Sequence, residues 1–446
     1  MPARPPWRSL LPPLRRARKL NRLDRIQTRI YGALFVVLTT SGALFLSQYA
    51  LDARVWERFT FAYLLPLVLY TVYLFALLLL HDLRPRRYPV YAGEKIAVVI
   101  PCFNESPEML EHALRTVVAA VGNKQVVLID DGSTNGVRGH IAELARELSI
   151  TTHYFHENRG KREALLYAVK ELIDDDVEFV VTIDSDTALQ PDALIRVVEP
   201  LKADRIGAAT GNVLLLNEEQ NLLTRMVGTY YWVGLNIYKQ AQSVIRSVVC
   251  CSGCLAAYRA GLLREVIDEF ASQRFLGEQC THSEDRHLTN LILRNGFDVV
   301  YTAEAVSWTE TPSTIVGFLR QQRRWKRGYI RESIYTLTYA WRTKRLLFLQ
   351  ILFWDLTAPF LSFGLRVGLV VTAVHEPRLL LTAILPSWIV LMLVRYILVP
   401  LRARDKLPGL FLYMVFYEIC LYWLNLWALF TVRNKSWVTR QATAQA

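Results

Sequence analysis

Val126-Val127-Leu128-Ile129-Asp130-Asp131-Gly132-Ser133 is the stretch on which the fold turns. Its apolar, largely β-branched half is too short for a buried helix and reads as a strand, and two carboxylates followed by glycine end it in a tight turn. An unbroken apolar run of this kind has both faces covered, as in a parallel sheet with helices on either side. Working outward, residues 96–100 and 179–183 repeat the pattern, while helical periodicity fills 108–121, 141–148 and 161–173. In the last of these Leu165, Ala168, Val169, Leu172 and Ile173 share one face. The alternation predicts an α/β domain with a doubly wound, largely parallel sheet, whose ligands bind beyond the carboxyl ends of the strands.

The flanking sequence is unlike that of a soluble chain. Apolar residues make up 52% of the 446, and mean hydropathy is +0.20, an excess that a globular core does not need. Residues 30–51 and 59–80 each run 22 positions without a charge, long enough to cross a hydrocarbon layer of ~30 Å as a helix. The first is followed at once by the second and has no small-residue cleavage site, which argues against a signal peptide. The first 29 residues carry nine Arg and Lys against the single acid Asp24, and Arg84, Arg86 and Arg87 follow the second stretch. By the positive-inside rule both clusters are cytoplasmic, so the domain beginning at residue 95 is expected in the cytosol. Much of the formal charge of +12 flanks these spans, where membrane lipid is the expected partner and nucleic acid is not.

Apolar character returns at 346–374, 379–399 and 407–432, interrupted by Asp355, Arg366, Arg395 and Glu418. Acids inside spans face protein or water, so Asp355 and Glu418 either pair within the bundle or line a polar path. Three crossings would leave the basic tail (Arg433, Lys435, Arg440) outside, so one segment is expected to be interfacial or a broken pair. The organisation is thus a basic tail (1–29), two transmembrane helices (30–82), the α/β domain (95–310), an interfacial segment (311–345), a C-terminal transmembrane bundle (346–432) and a short tail (433–446). Six cysteines in a cytoplasmic domain make no disulfide framework. Cys251 and Cys254 have C-x-x-C spacing without a second ligand pair, so reduced structural thiols are expected rather than a zinc site.

Chemistry concentrates at the strand ends. Asp130 and Asp131 can accept hydrogen bonds from a pyrimidine N–H or a ribose hydroxyl. In Asp184-Ser185-Asp186 strand alternation puts two hard oxygen ligands on one side, a pair suited to Mg²⁺ or Mn²⁺ beside a diphosphate. Lys161 and Arg162 occupy the first turn of a helix, where cations oppose the macrodipole and call for an anion such as diphosphate, the alternative being a solvated basic turn. Glu284 and Asp285 precede a helical pattern, and one of them can remove an acceptor hydroxyl proton. His282 and His287 beside them read as packing or solvated histidines. Gln321-Gln322-Arg323-Arg324-Trp325 fits Q-x-x-R-W, with a flat ring for a sugar and a fork for phosphate, or else a basic surface helix.

Taken in order, DDGS, GKR, DSD, the Cys251–Arg259 segment C-S-G-C-L-x-x-Y-R, E-D-R-H-L-T and QxxRW resemble the processive family 2 glycosyltransferases, and within them hyaluronan synthases and rhizobial chitin oligosaccharide synthases. The similarity runs from about residue 95 to the end. The Thr309-Glu310-Thr311-Pro312, Arg331-Glu332-Ser333-Ile334 and 429–437 runs look more like hyaluronan synthase. The resemblance implies a GT-A-like (Rossmann-like) domain between transmembrane helices in the plasma membrane, with UDP-sugar donors and a growing polysaccharide acceptor. It implies that Asp130 and Asp131 hold uridine, Lys161, Arg162 and Asp184 the donor phosphates, and Asp184 with Asp186 the metal. Asp285 is the implied base with Glu284 beside it, and Gln321, Arg324 and Trp325 close over UDP and the acceptor end. The implied reaction is inverting polymerisation into hyaluronan from UDP-GlcNAc and UDP-GlcA, the alternative being a chitin-type N-acetylglucosamine polymer. A catalytically silent nucleotide-sugar sensor and a lipid-phosphate monosaccharide transferase are the rivals. Two departures from the family pattern, Ser283 in place of Gly and Cys254 in place of Pro, bear on acceptor geometry and sugar choice.

Overall fold

The computed structural model describes residues 53–83, 87–357 and 396–433, together with positions 359, 374, 378 and 389. Its strands are β1 (Ile96–Cys102), β2 (Lys124–Asp130), β3 (Thr151–Tyr154), β4 (Phe179–Thr182), β5 (Ala188–Leu189), β6 (Ile206–Leu215), β7 (Ala256–Arg259), β8 (Arg274–Phe275), β9 (Glu278–Gln279) and β10 (Asp298–Thr309). Eight of them form one sheet in the order β3-β2-β1-β4-β7-β6-β10-β5, and β8 and β9 make a separate hairpin. The half from β3 to β4 is parallel, as the alternating pattern predicts. Beyond it the expectation of a largely parallel sheet needs correction. β7 runs antiparallel to both β4 and β6, and β5 antiparallel to β10, so the sheet is mixed. The connection from β6 to β7 carries the helices Leu222–Val233 and Gln240–Val244 and returns through the loop at 250–255 in the opposite direction, which places β7 antiparallel between β4 and β6, while β10 again runs parallel to β6.

Period-two alternation divides the core between the two faces of the sheet. Ile96, Val98 and Ile100 of β1, with Val126 and Leu128 of β2, pack on Leu110, Leu114, Val117, Ile141 and Leu144. These come from the amphipathic helices Pro107–Ala119 and Val137–Leu148. Ala97, Val99, Val127 and Ile129 point the other way, toward Leu165 and Val169, the helix Ala260–Ala271 and the helix Glu284–Arg294. The register matches Cys102 to Asp130, and the Ile183 amide donates to the Val99 carbonyl, so the DDGS and DSD turns leave the sheet side by side.

The helix Ile315–Thr343 lies against the helix Trp423–Phe430, where Arg323 and Arg327 both place their guanidinium groups over the Trp427 ring, at 4.0 and 4.2 Å. Among the described residues no helix is long and apolar enough to cross a membrane. The expected span at 30–51, most of that at 379–399 and the side chain of Glu418 lie outside the described residues. Asp355 is buried and paired, its Oδ2 lying 3.4 Å from Arg286 Nη2.

Candidate active site

Gly132 explains how the first motif is built. It sits at φ +77, and a Cβ there would fall 2.4 Å from the Glu157 carbonyl carbon and 2.5 Å from the Asn158 nitrogen; only glycine permits both the left-handed turn and that approach. The 157–160 segment is thereby pressed onto the DDGS turn, and Asp131 fastens it by accepting from the amides of Arg159 (2.7 Å) and Gly160 (2.8 Å). Asp130, wholly buried, accepts from Arg138 Nε at 2.6 Å and from the Ser133 amide at 3.2 Å. Asn104, itself at φ 49, donates its amide to Ser133 Oγ and accepts from the Thr134 amide, each at 2.8 Å. The two aspartates thus first brace the turn and the 157–160 segment, and each keeps lone pairs for a further donor. Burial raises the Asp131 carboxyl to about 6, against the lowering effect of its two amide donors.

Lys161 joins the remaining carboxylates. Its Nζ lies 2.5 Å from Asp184 Oδ1 and 3.6 Å from Glu284 Oε1. Burial alone would lower this ammonium, but Asp184, Glu284 and Asp285 together hold it well above its ordinary value. Glu284 is held below the usual carboxylate range, burial being outweighed by Lys161 and Arg162. Asp285 is pushed up by burial and by the Glu284 charge. A carboxylate raised next to an ionised one is a competent proton acceptor, because proton uptake in the transition state relieves both penalties.

The 250–255 loop meets the same carboxylates. The Gly253 amide donates to Asp285 Oδ2 at 3.3 Å, and a Cβ at 253 would meet Lys161 Nζ at 2.6 Å. Cys250 Sγ lies 3.9 Å from Asp285 Oδ2, and Cys254 Sγ 3.7 Å from Asp184 Oδ2. Burial keeps both thiols, and Cys251 at about 12, protonated. Asp186 accepts from Thr309 Oγ1 at 3.3 Å, and Ser185 between the two aspartates donates to buried Glu105 at 2.7 Å. Among the described residues no three His, Cys, Asp or Glu converge as a metal cage. Asp184 and Asp186 are hard oxygen donors at the end of β4 and suit a divalent cation that would take its other ligands from outside the chain.

Arg162 departs from its expected position. Its guanidinium is buried on the far side of the helix turn, where it donates to the Phe270 carbonyl at 2.9 Å and to Gln273 Oε1 at 2.6 Å and lies over the Phe270 ring. Of this pair, Lys161 is the one whose cation meets Asp184 and Glu284. Trp325 is half-buried, with its ring centroid 6.2 Å from that of Tyr231. The Tyr231 hydroxyl is raised by burial and by the nearby Cys254, Tyr230, Asp186 and Asp184, which links the QxxRW aromatic to the DSD turn. In the same motif the side-chain oxygen of Gln321 is buried without a hydrogen-bond partner. His287 is packed and bonded to Glu332, and His282 is buried with its imidazole lowered to about 3, by burial first and then by Arg331. Ser283 starts the helix Glu284–Arg294 in a left-handed conformation, φ 60, and its Oγ would stand 1.6 Å from a Cβ at Gly328.

Sequence reasoning missed Arg138, Tyr231 and Gly253. Gly253 lay within a quoted motif, but only the fold shows that it faces Lys161. Arg138 stands eight residues past Asp130 and Tyr231 in an ordinary amphipathic helix, so neither had a local signal.

Comparison with known proteins bears on the fold and the family. The family model described as "Glycosyltransferase like family 2" matches residues 93–328. An N-acetylglucosaminyltransferase of Sinorhizobium fredii is 32% identical over 80% of this chain and 86% of its own length. One from Mesorhizobium japonicum is 31% identical over 78% and 82%, and one from Bradyrhizobium diazoefficiens is 30% identical over 91% and 82%. Among solved structures, a mannosyltransferase from Pyrobaculum calidifontis in complex with GDP-Man and Mn²⁺ superposes with a TM-score of 0.57 at 18% identity, over 83% of this chain and 98% of that one. That likeness identifies the GT-A-like α/β fold. With the family model covering more than half of its residues and relatives aligned along most of its length, the chain belongs to the family 2 glycosyltransferases and is a hexosyltransferase.

Proposed function

We propose that the chain transfers N-acetylglucosamine from UDP-GlcNAc to the end of a growing β-linked chain, with inversion at the anomeric carbon and repeated addition before release. The observation that carries this is the contact of Lys161 with both Asp184 and Glu284, which joins the DSD turn to the acid pair in one ionic cluster. The names of the rhizobial relatives, all N-acetylglucosaminyltransferases, favour this donor. The 309–312 and 429–437 runs favour a second reading, a hyaluronan copolymer that adds UDP-GlcA as donor.

In the proposed reaction Asp285 takes the proton from the acceptor hydroxyl, steadied by the Gly253 amide. Lys161 faces the departing diphosphate, and the DDGS turn holds the nucleoside end. Tyr231 and Trp325 flank the acceptor sugar, which a ring face binds through its C–H surface. Asp184 and Asp186 would hold Mg²⁺ or Mn²⁺, which supplies charge neutralisation on the leaving group. The site is further proposed to lie in the cytoplasm, on a multi-pass protein of the plasma membrane. Supporting this are the exposed apolar side chains Val68, Leu69, Val72, Phe75 and Leu79 of the helix Ala53–Leu83 and Leu346, Leu349 and Phe353 just past the helix Ile315–Thr343, too many together for a surface in water.

The test is incubation of the purified full-length protein with UDP-GlcNAc alone and with UDP-GlcA, followed by digestion with chitinase and with hyaluronan lyase. A chitinase-sensitive product from UDP-GlcNAc alone supports the first reading, and a lyase-sensitive product that needs both donors replaces it with the second. Synthesis undiminished in EDTA would remove the metal from either.

A further inference from the structure

Three consecutive residues of the helix Ile315–Thr343, Arg331, Glu332 and Ser333, are buried although two carry charge. Such a run is rare in a helix packed against its own domain, because each charge must find fixed partners to offset desolvation. Here each of the three finds at least one of them on the segment that carries Glu284 and Asp285.

Arg331 Nη2 donates to the carbonyl of His282, one residue before the left-handed Ser283. Glu332 Oε1 accepts from Arg331 Nε at 3.0 Å and from Gln273 Nε2 at 2.7 Å. Its other oxygen accepts from His287 Nδ1 at 3.1 Å and from Asn290 Nδ2 at 3.2 Å. Ser333 Oγ accepts from Arg286 Nη2 at 2.9 Å and donates to Asp355 Oδ2 at 3.4 Å. The acid pair at 284–285 is therefore held before it at His282 and after it at Arg286, His287 and Asn290. All these holds come from the helix that bears Gln321, Arg324 and Trp325.

We propose that Arg331, Glu332 and Ser333 are positioning residues that fix the proton-accepting carboxylate to the QxxRW helix, so that the acid pair and the acceptor grip move as one body. None of the three is placed in contact with donor or acceptor; they act through the turn at 282–283 and through the first two turns of the helix Glu284–Arg294. The proposal rests on the transferase reading, in which Asp285 is the base. A displacement of ~1 Å at a reacting group is enough for about a 10²-fold loss of rate, so a shift of a fraction of that is read in kcat.

The test uses the full-length protein in detergent and whichever UDP-sugar the wild type turns over, so that an error about the sugar does not decide the outcome. Glu332→Gln is nearly isosteric but offers one acceptor oxygen where two are needed. It is expected to lower kcat at least ~10-fold while KM for the donor and UDP affinity stay within about threefold. Arg331→Lys, which retains a donor for the His282 carbonyl, is expected to recover part of the loss seen in Arg331→Ala. Ser333→Ala is the mildest change and guards against failure to fold. Wild-type kcat in Glu332→Gln and Ser333→Ala overturns the proposal. So does a parallel fall of kcat, UDP affinity and thermal midpoint in every variant, Arg331→Lys included, because that is the mark of a merely structural role.

Discussion

Replacing Gly253 with alanine places a methyl group between the two halves of the carboxylate cluster. The new Cβ stands 2.6 Å from Lys161 Nζ and 3.0 and 3.1 Å from the two Asp184 oxygens, whereas ordinary contact begins at 3.4 Å. Asp184 stands two residues past β4, next to Ile183 whose amide is bonded to β1, and the Gly253 amide is tied to Asp285. The flexible lysine is therefore the group that yields, by ~1 Å. Its 2.5 Å contact with Asp184 then lengthens past hydrogen-bonding range, although most of the longer-ranged attraction survives. A hydrogen bond between charged groups contributes about 1.5–3 kcal/mol. The Asp184 side chain is 34% exposed, so the lower part of that range applies, roughly 2 kcal/mol or about 30-fold.

Expected are a fall of that size in kcat/KM for UDP-GlcNAc, a higher half-saturating Mn²⁺ concentration, and a thermal midpoint within a few degrees of wild type. UDP release across a Mn²⁺ series gives the first two, and calorimetry the third. A double-mutant cycle with Lys161→Met locates the cause: if the methyl acts by displacing Lys161, adding Gly253→Ala to Lys161→Met costs nothing further. Wild-type kcat/KM in Gly253→Ala, or full additivity in the cycle, would refute the reasoning.

Asp285→Asn is expected to bind UDP-sugar as wild type does and to lose turnover by at least ~10²-fold; collapse of binding in a calorimetric titration would move the base elsewhere. Trp325→Ala is expected to shorten the product on gel filtration and to lower UDP affinity less than Arg324→Ala, since stacking is worth on the order of 1 kcal/mol and a charged contact more; normal-length product would leave the ring a surface anchor. Asp131, at about 6 in the fold, lies above its unfolded value of roughly 4, so its contribution to stability is fully present below that unfolded value and is lost as pH rises through about 6. Donor binding should run the opposite way, weakening as pH falls through about 6 while the 157–160 segment loses its carboxylate acceptor, and Asp131→Asn should flatten both profiles in thermal-midpoint and UDP-binding measurements from pH 5 to 8.

The parallel half of the sheet was legible because β1, β2 and β4 are short and buried on both faces, so composition and length agree. DDGS and DSD were legible for a related reason, since carboxylates that interrupt apolar runs mark strand ends. β7 was not, because Ala256, Ala257, Tyr258 and Arg259 make neither an apolar run nor an alternation. The orientation of Arg162 was out of reach as well. Its place in the first turn is local information, but the groups that bury it, Phe270 and Gln273, lie 108 and 111 residues away. Asp355 was left between a polar path and an internal pair because its partner belongs to the catalytic domain and not to its own apolar stretch.

Ser283 and Gly328 illustrate how the order of substitutions can matter in this chain. The serine hydroxyl occupies the place a side chain at 328 would take, and the serine itself sits in a left-handed turn that glycine would adopt without strain. Glycine at 283 therefore opens room for alanine at 328, whereas alanine at 328 installed first must displace either the turn that launches the acid pair or the helix that carries QxxRW. The two positions form a one-way street: a lineage leaving this pair of residues passes through 283 before 328, and a chimera that sets Ser283 against a side chain at 328 inherits a collision that neither parent shows.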